Sequence, residues 1–185
     1  MIQTSLANTD TLPRSLDEFL AWEPNDGFKY EWNDGEIIQF AGMQENQINI
    51  YDNLLDLLIE LGYKKTGTLI AEHNVHVSGI QLRRPDIAYF TREQVRHSTQ
   101  GGRSIPDFLI EIISTHDKLN RVEKKLTEYF EAGVKVVWVV IPEERVVNVY
   151  TSRREVKACI EDDLCSAAPV LPDFEIRVNE MLALR

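Results

Sequence analysis

The stretch Phe108-Leu109-Ile110-Glu111-Ile112-Ile113 decides the fold of this chain. Apart from its one acid it is apolar on both faces, which is typical of a central strand that is covered on both sides. Residues 120–132 follow with a helical pattern that ends at Gly133, and residues 134–141 form a second apolar run. A strand, a helix and a strand in this order predict a parallel pair joined by a right-handed crossover.

Other patterns extend this core. Asn33-Asp34-Gly35 predicts a hairpin turn, and residues 44–61 have the three- and four-residue spacing of an amphipathic helix. We expect one strand over 68–77, a short strand over 86–90, a loop over 92–103, and a tail of two short strands and a short helix near Val178 to Leu184. The sequence therefore predicts an α/β fold, a mixed β-sheet flanked by helices, as a single domain over 15–185 behind a flexible N-terminal arm at 1–14.

The composition limits the class of function. The 185 residues include 30 acidic and 20 basic side chains, for a net charge of −10. A protein that grips nucleic acid along a general basic surface has the opposite sign, although a local basic patch or a carboxylate metal site stays open. The sequence has no long apolar run, no pattern of a secretory signal, and only two cysteines, so we expect a cytoplasmic protein without a membrane partner.

Glu111 and Asp86 are the first candidate site residues. A carboxylate in a central strand is unfavourable unless it is paired or bound to a cation, and a salt bridge to an arginine would explain Glu111 as well as a metal ion would. Asp86 follows Pro85, whose ring fixes the direction in which the next strand starts. The chain contains three Pro-Asp dipeptides, however, and turn chemistry alone produces them.

Lys125 is the third candidate. It shares a helix side with Val122 and Tyr129, the side that meets the sheet, whereas Lys124 groups with Glu128 on a solvated face. The alternative is a lysine that snorkels at the edge of a buried stripe. Two carboxylates on adjacent strands can hold Mg²⁺ or Mn²⁺, and a lysine beside them can position or deprotonate a water that attacks a phosphodiester.

The same stretches resemble a known superfamily. Arg84-Pro85-Asp86 and the run from Pro106 to Ser114 are similar to the PD-(D/E)XK nucleases, and more narrowly to the Uma-type family of restriction-endonuclease-like proteins. The further similar segments are Tyr30 to Glu36, Lys125 to Tyr129, Gly133-Val134, Trp138 to Val140, and Pro169 to Pro172. The resemblance covers about residues 15–182 and implies a mixed sheet flanked by helices, a Mg²⁺-dependent site that cleaves DNA, and a homodimer.

The resemblance also implies residue roles. Asp86 and Glu111 correspond to the catalytic and metal-binding acids, and the backbone carbonyl of Ile112 to a further metal ligand. The superfamily's lysine usually stands two residues after the second acid, where this chain has Ile113. In the family this lysine has moved to the next helix, which points to Lys125.

Four more residues are candidates with open alternatives. Gln47 stands where the family often has a histidine, and a glutamine cannot act as a general base at neutral pH. Glu31 matches a family glutamate that could approach the site, or it could be exposed or pair across the hairpin. Arg83 and Arg84 could contact a phosphate backbone, or they could pair with the acidic excess.

Three functions follow from these alternatives. The favoured one is a metal-dependent endonuclease that hydrolyses DNA. Ile113, Gln47 and the net charge instead favour a catalytically silent nuclease fold that serves as a binding or interaction module. The third is a structural protein whose acids are merely paired.

Overall fold

The computed structural model describes residues 12–40, 45–113 and 119–184, so most of the expected arm at 1–14 lies outside the described residues. The helices and strands, in chain order, are α1 (Leu16–Ala21), β1 (Lys29–Asn33), β2 (Glu36–Phe40), α2 (Glu45–Glu60), β3 (Gly67–Ala71), β4 (Val75–Ser78), β5 (Gln81–Arg83), β6 (Ile87–Thr91), α3 (Arg92–Thr99), β7 (Phe108–Ile112), α4 (Leu119–Glu131), β8 (Val136–Ile141), β9 (Val146–Tyr150), β10 (Val156–Ile160), β11 (Leu164–Ala167), β12 (Leu171–Arg177) and α5 (Val178–Met181). A 3₁₀ turn over Tyr63–Lys65 follows α2.

A six-stranded mixed sheet forms the centre of the molecule, with the strand order β10-β9-β8-β7-β6-β3. Strands β7 and β8 are parallel and are connected through α4, as the sequence predicts, and the other pairs are antiparallel. Strand β7 is buried along its whole length. Phe108, Ile110 and Ile112 face one apolar cluster and Leu109 faces the other, which explains why the strand is apolar on both sides.

Helices cover both faces of this sheet. Leu54 and Leu58 of α2 are fully buried against one face, where Phe174 of β12 also packs on Trp138. Leu126 of α4 is buried against the other face. Each large apolar side chain buried in this way contributes roughly 1.5–3 kcal/mol, so the two clusters dominate the stability of the fold.

A second, four-stranded sheet with the order β2-β1-β5-β4 lies beside the first. Its hairpin turns at Asp34 and Gly35, which both have positive φ angles of 49° and 87°, and the predicted turn is therefore confirmed. Phe19 of α1 packs against Trp32 and Leu82 of this sheet. The chain as described is a mixed α/β single domain with sheets flanked by helices. None of the helices in its described ranges is long and apolar enough to cross a membrane.

The single strand expected over 68–77 is wrong. Strand β3 ends at Ala71, Glu72 has a φ of 49°, and β4 then pairs in the second sheet. Apolar and polar residues alternate on both sides of this break, because β3 and β4 each bury one face in their own sheet.

Two further local predictions are also wrong. The loop expected over 92–103 contains helix α3, which begins with a capping box between Thr91 and Gln94. Val95 is its one half-buried apolar residue, so the helical period has no apolar stripe to reveal it. The tail contains three strands rather than two, because β10 extends the edge of the central sheet, but its short helix is confirmed as α5.

Candidate active site

Asp86 and Glu111 meet where β6 begins and β7 ends. Ile87 pairs with Ile110 in antiparallel register, so the next residues, Asp86 and Glu111, stand opposite one another. Opposite residues of an antiparallel pair project from the same face of the sheet. Oδ2 of Asp86 also accepts a hydrogen bond from the backbone N–H of Ile112 at 2.6 Å. The two predicted acids are therefore neighbours.

Helix α4 brings a lysine and a tyrosine to Glu111. Nζ of Lys125 lies 3.0 Å from Oε2 of Glu111, and the hydroxyl of Tyr129 donates to Oε1 at 2.5 Å. Lys124 is exposed, whereas Lys125 is 22% exposed and points inward, as the helical spacing predicts. Tyr129 was expected only as part of the apolar stripe, and its hydroxyl contact with Glu111 adds a polar function to that position.

Glu31 reaches the same place from β1. Its Oε1 lies 2.9 Å from Nζ of Lys125 and accepts from the backbone N–H of Arg84 at 3.0 Å. The side chain is 2% exposed, and its cross-strand partner is Ile38, so it is neither an exposed glutamate nor one that pairs across the hairpin. Glu31 therefore shares the ammonium of Lys125 with Glu111.

Arg83 lies inside the molecule, away from the surface at which a phosphate backbone was expected. Its side chain is 2% exposed, its Nη1 lies 3.2 Å from Glu31, and its Nε lies 2.6 Å from Glu128. Glu128 is 7% exposed, so the solvated face expected for it is wrong. Strand β5 of the second sheet covers that side of α4, and no periodicity within α4 itself reveals a second buried face.

Arg84 and Gln47 lie at the border of the group formed by Glu31, Glu111 and Lys125. Nε of Arg84 donates to Oδ1 of Asn74 at 2.9 Å, and the Arg84 side chain is half-buried. Nε2 of Gln47 donates to the carbonyl oxygen of Ile112 at 3.4 Å, a long hydrogen bond. Ser114, the last residue of the segment that resembles the nucleases, lies outside the described residues.

Burial and mutual repulsion set the protonation of the acids. Burial raises the pKa of Asp86 to about 8, with a further contribution from the charge of Glu111, against the opposite effects of the Ile112 hydrogen bond and Lys125. Burial also raises the pKa of Glu111, against the effect of Lys125. For Lys125, burial lowers the pKa, but Glu111, Glu31 and Asp86 together raise it above its usual value. Lys125 therefore keeps its proton, but the positive charges beside the carboxylates are too few to balance them.

The oxygen donors at this place are of the type that a hard divalent cation prefers. No three His, Cys, Asp or Glu side chains in the described ranges form a ready metal cluster. Asp86, Glu111 and the carbonyl of Ile112 nevertheless offer three oxygen ligands, the type that Mg²⁺ and Mn²⁺ prefer, with further positions for water or phosphate. Within the described part of the chain, the cluster has two more carboxylates than cations when all are ionised. Its acidic members are Glu31, Asp86, Glu111 and Glu128, and its basic members are Arg83 and Lys125.

The chain matches a protein-family model and is similar to solved structures. A family model described as "Uma2: Putative restriction endonuclease" matches residues 16–179. Among solved structures, a crystal structure titled as a "putative nuclease belonging to DUF820 from Anabaena variabilis ATCC 29413" is similar, with a TM-score of 0.74 and 23% sequence identity. The alignment covers 92% of this chain and 98% of that chain. No curated protein matches. At 23% identity the similarity to the solved structure shows the fold alone. The family model spans most of the chain and therefore shows the family.

Proposed function

The chain belongs to the Uma2 family, described as "Putative restriction endonuclease", and on that premise we propose that it is a metal-dependent endonuclease that hydrolyses phosphodiester bonds in DNA. The observation that carries the proposal is the convergence of Asp86, Glu111 and Lys125 from two strands and a helix. The family description supports a nuclease-like function. The metal and the DNA substrate are our own extension of it.

Asp86, Glu111 and the carbonyl of Ile112 would hold a Mg²⁺ or Mn²⁺ ion. Such an ion, when bound, supplies Lewis-acid polarisation of the phosphoryl group and neutralises part of its charge. The support for this assignment is the excess of two carboxylates and the raised pKa of Asp86, to about 8 because of burial and then Glu111. A buried pair of carboxylates that is hard to ionise is a site that gains from a nearby cation.

We assign Lys125 to a direct contact with the attacking water and the phosphoryl group. Its pKa is raised above the usual value by Glu111, Glu31 and Asp86, which outweigh the lowering by burial, so its Nζ donates hydrogen bonds and does not accept a proton. An ammonium group in that place orients the attacking water and offsets negative charge that develops on the phosphoryl oxygens. The side-chain amide of Gln47 does not ionise at neutral pH, so we assign it no acid–base role.

Arg84 is the candidate for a contact with a neighbouring phosphate. Its guanidinium is oriented through Nε by Asn74, and the backbone of the same residue binds Glu31. Arg83 is not kept in this role, because its guanidinium is buried among carboxylates. The homodimer and the cytoplasmic location remain predictions, and light scattering after size-exclusion chromatography tests the first.

A catalytically silent module is the second candidate. Three observations favour it: Ile113 stands at the usual position of the lysine, Gln47 donates to the carbonyl proposed as a metal ligand, and Lys125 is already paired with two glutamates. Such a protein would bind a partner without any need for a metal ion.

Calorimetric titration of Mn²⁺ and Mg²⁺ into the wild type and Asp86→Asn tests the proposal. We expect binding to the wild type that the variant loses. Asp107→Asn is the matched control, because Asp107 also follows a proline and precedes a strand of the same sheet, but its side chain is 44% exposed and pairs with Lys135. Metal-dependent cleavage of a plasmid that Glu111→Gln abolishes would then support the endonuclease. Binding that is equal in all three proteins, or absent from the wild type with DNA present, would favour the silent module.

A further inference from the structure

Two buried ion pairs share Glu31. Its Oε1 lies 2.9 Å from Nζ of Lys125, and its Oε2 lies 3.2 Å from Nη1 of Arg83. Arg83 in turn donates to both oxygens of Glu128, from Nε at 2.6 Å and from Nη2 at 2.9 Å. Glu128 is on α4, three residues after Lys125, so the chain of contacts begins and ends on the same helix.

The series of contacts from Lys125 through Glu31 and Arg83 to Glu128 has its most defined geometry at the Arg83–Glu128 pair. A guanidinium that binds a carboxylate through two parallel hydrogen bonds has a defined plane as well as a defined position. Gln81 donates a further hydrogen bond to Oε1 of Glu128 at 2.8 Å. The Nη1 atom of Arg83 is then left pointing at Glu31, which it holds opposite Lys125.

Arg83 and Glu128 do not lie where a substrate could contact them. Both are less than 10% exposed, and Glu31 stands between them and Lys125. A buried ion pair is also a weak source of stability, because apolar side chains of similar volume commonly stabilise a fold as well or better. Leu82 and Tyr129, the residues next to these two in the sequence, are themselves buried in apolar clusters.

We propose that Arg83 and Glu128 are positioning residues that fix Glu31, so that the ammonium of Lys125 is held between Glu31 and Glu111. The consequence for metal binding and cleavage rests on the proposed function. The positioning of Lys125 does not, because it is measurable without any metal or DNA.

The test observes the ammonium group of Lys125 directly. In ¹⁵N-labelled protein, a lysine ammonium held by two buried carboxylates exchanges slowly with water and gives a ¹H–¹⁵N signal, which Lys125→Met identifies by removing it. We expect Glu128→Gln to abolish this signal or to broaden it severely. Glu123→Gln is the matched control, since it makes the same charge change on the same helix, at an exposed pair with Arg153, and it leaves the signal unchanged.

A second variant protects the test from a failure to fold. Glu128→Asp keeps the buried charge, but its carboxylate is one methylene too short to meet both Nε and Nη2 of Arg83, so we expect the same loss of signal. Dispersed amide spectra establish that each variant is folded. The signal persisting in either folded Glu128 variant would overturn the positioning role, as would its absence from the wild type.

Mn²⁺ affinity separates this inference from the proposed function. We expect Glu128→Gln to weaken Mn²⁺ binding about 10-fold, because a displaced Lys125 no longer orients Glu111, and changes around metal ligands have effects of this size. If the wild type binds no Mn²⁺ and Glu128→Gln still loses the ammonium signal, the positioning role stands and the metal site fails. If Mn²⁺ binds and the signal is unaffected, the metal site stands and the positioning role fails.

Discussion

The ammonium of Lys125 lies 3.0 Å from Oε2 of Glu111, although the two residues belong to a helix and to the strand before it. The crossover from β7 through α4 to β8 lays the helix over the face of the sheet from which Glu111 projects. One turn farther along, Tyr129 donates to the other oxygen of the same carboxylate. Helix α4 therefore fixes both oxygens of Glu111.

Loss of Lys125 should destabilise the protein and increase its dependence on a metal ion. Lys125→Met leaves Glu31 and Glu111 without their shared cation, and removing one partner of a buried pair loses about 3–5 kcal/mol, which the partial exposure of Lys125 reduces to about 2 kcal/mol. Urea unfolding measures the loss, and added Mn²⁺ should restore part of it. Lys124→Met, at an exposed position of the same helix, should change the unfolding free energy by less than about 0.5 kcal/mol. Equal effects of the two substitutions would contradict the inward placement of Lys125.

The metal-free protein should lose stability as the pH rises from about 4 to about 8. The pKa of Asp86 is raised to about 8 in the folded state by burial and by Glu111, so the unfolded chain releases this proton near its ordinary pKa of 3.8 while the folded chain keeps it. The folded state then binds more protons, and the free energy of unfolding falls across that window.

Asp86→Asn isolates this effect, because the asparagine side chain does not titrate in this pH range. Thermal melts in the presence of a chelator should agree for the two proteins near pH 4. At pH 8 the variant should melt about 5 °C higher, as expected for a gain of about 2 kcal/mol in a chain of this length. A Tm difference that is the same at both pH values would mean that Asp86 is not the group responsible.

The sequence predicts the site residues on β7 and on the sheet side of α4 better than it predicts the buried charges behind them. Glu111 stands out because it interrupts an apolar strand, and Lys125 stands out because its spacing from Tyr129 sets it on the buried side of a helix. Both arguments use one element at a time, with the period of a strand or a helix. Both residues lie where these periods put them, because β7 is central in its sheet and this side of α4 packs on that sheet.

Arg83 and Glu128 could not be found in this way. Their burial depends on β5, a strand of three residues that belongs to the second sheet and covers another side of α4. Charged residues are almost never fully buried unless paired, and nothing in the sequence identifies the partner. Helix α3 is missed for a related reason, since it covers little apolar surface and depends on its capping box.

The hydroxyl of Tyr129 should matter for metal binding more than its ring does. Tyr129→Phe keeps the buried ring but leaves Oε1 of Glu111 without its donor, and an unsatisfied buried acceptor loses about 1–3 kcal/mol of stability. We expect Mn²⁺ affinity to fall severalfold in calorimetry. Tyr51→Phe is the control, because its hydroxyl donates to the carbonyl of Leu69 on the other face of the sheet, and it should lower stability without changing Mn²⁺ affinity. A fall in affinity of equal size in both variants would show a general effect of hydroxyl loss.

Arg84 should contribute to DNA affinity through charge alone. Because the net charge is −10, a contact with phosphate needs a local cation. Arg84 is such a cation beside Glu31, and Asn74 orients its guanidinium. Each phosphate contact that is lost lowers the slope of log affinity against log salt by about one. We therefore expect Arg84→Met to weaken binding of a fluorescent duplex, measured by anisotropy in Ca²⁺ at several salt concentrations, and to reduce that slope. Arg153→Met removes the same charge at an exposed pair with Glu123 and should leave the slope unchanged. If both variants reduce the slope of log affinity against log salt by the same amount, the effect reflects net charge, and the phosphate contact must lie elsewhere.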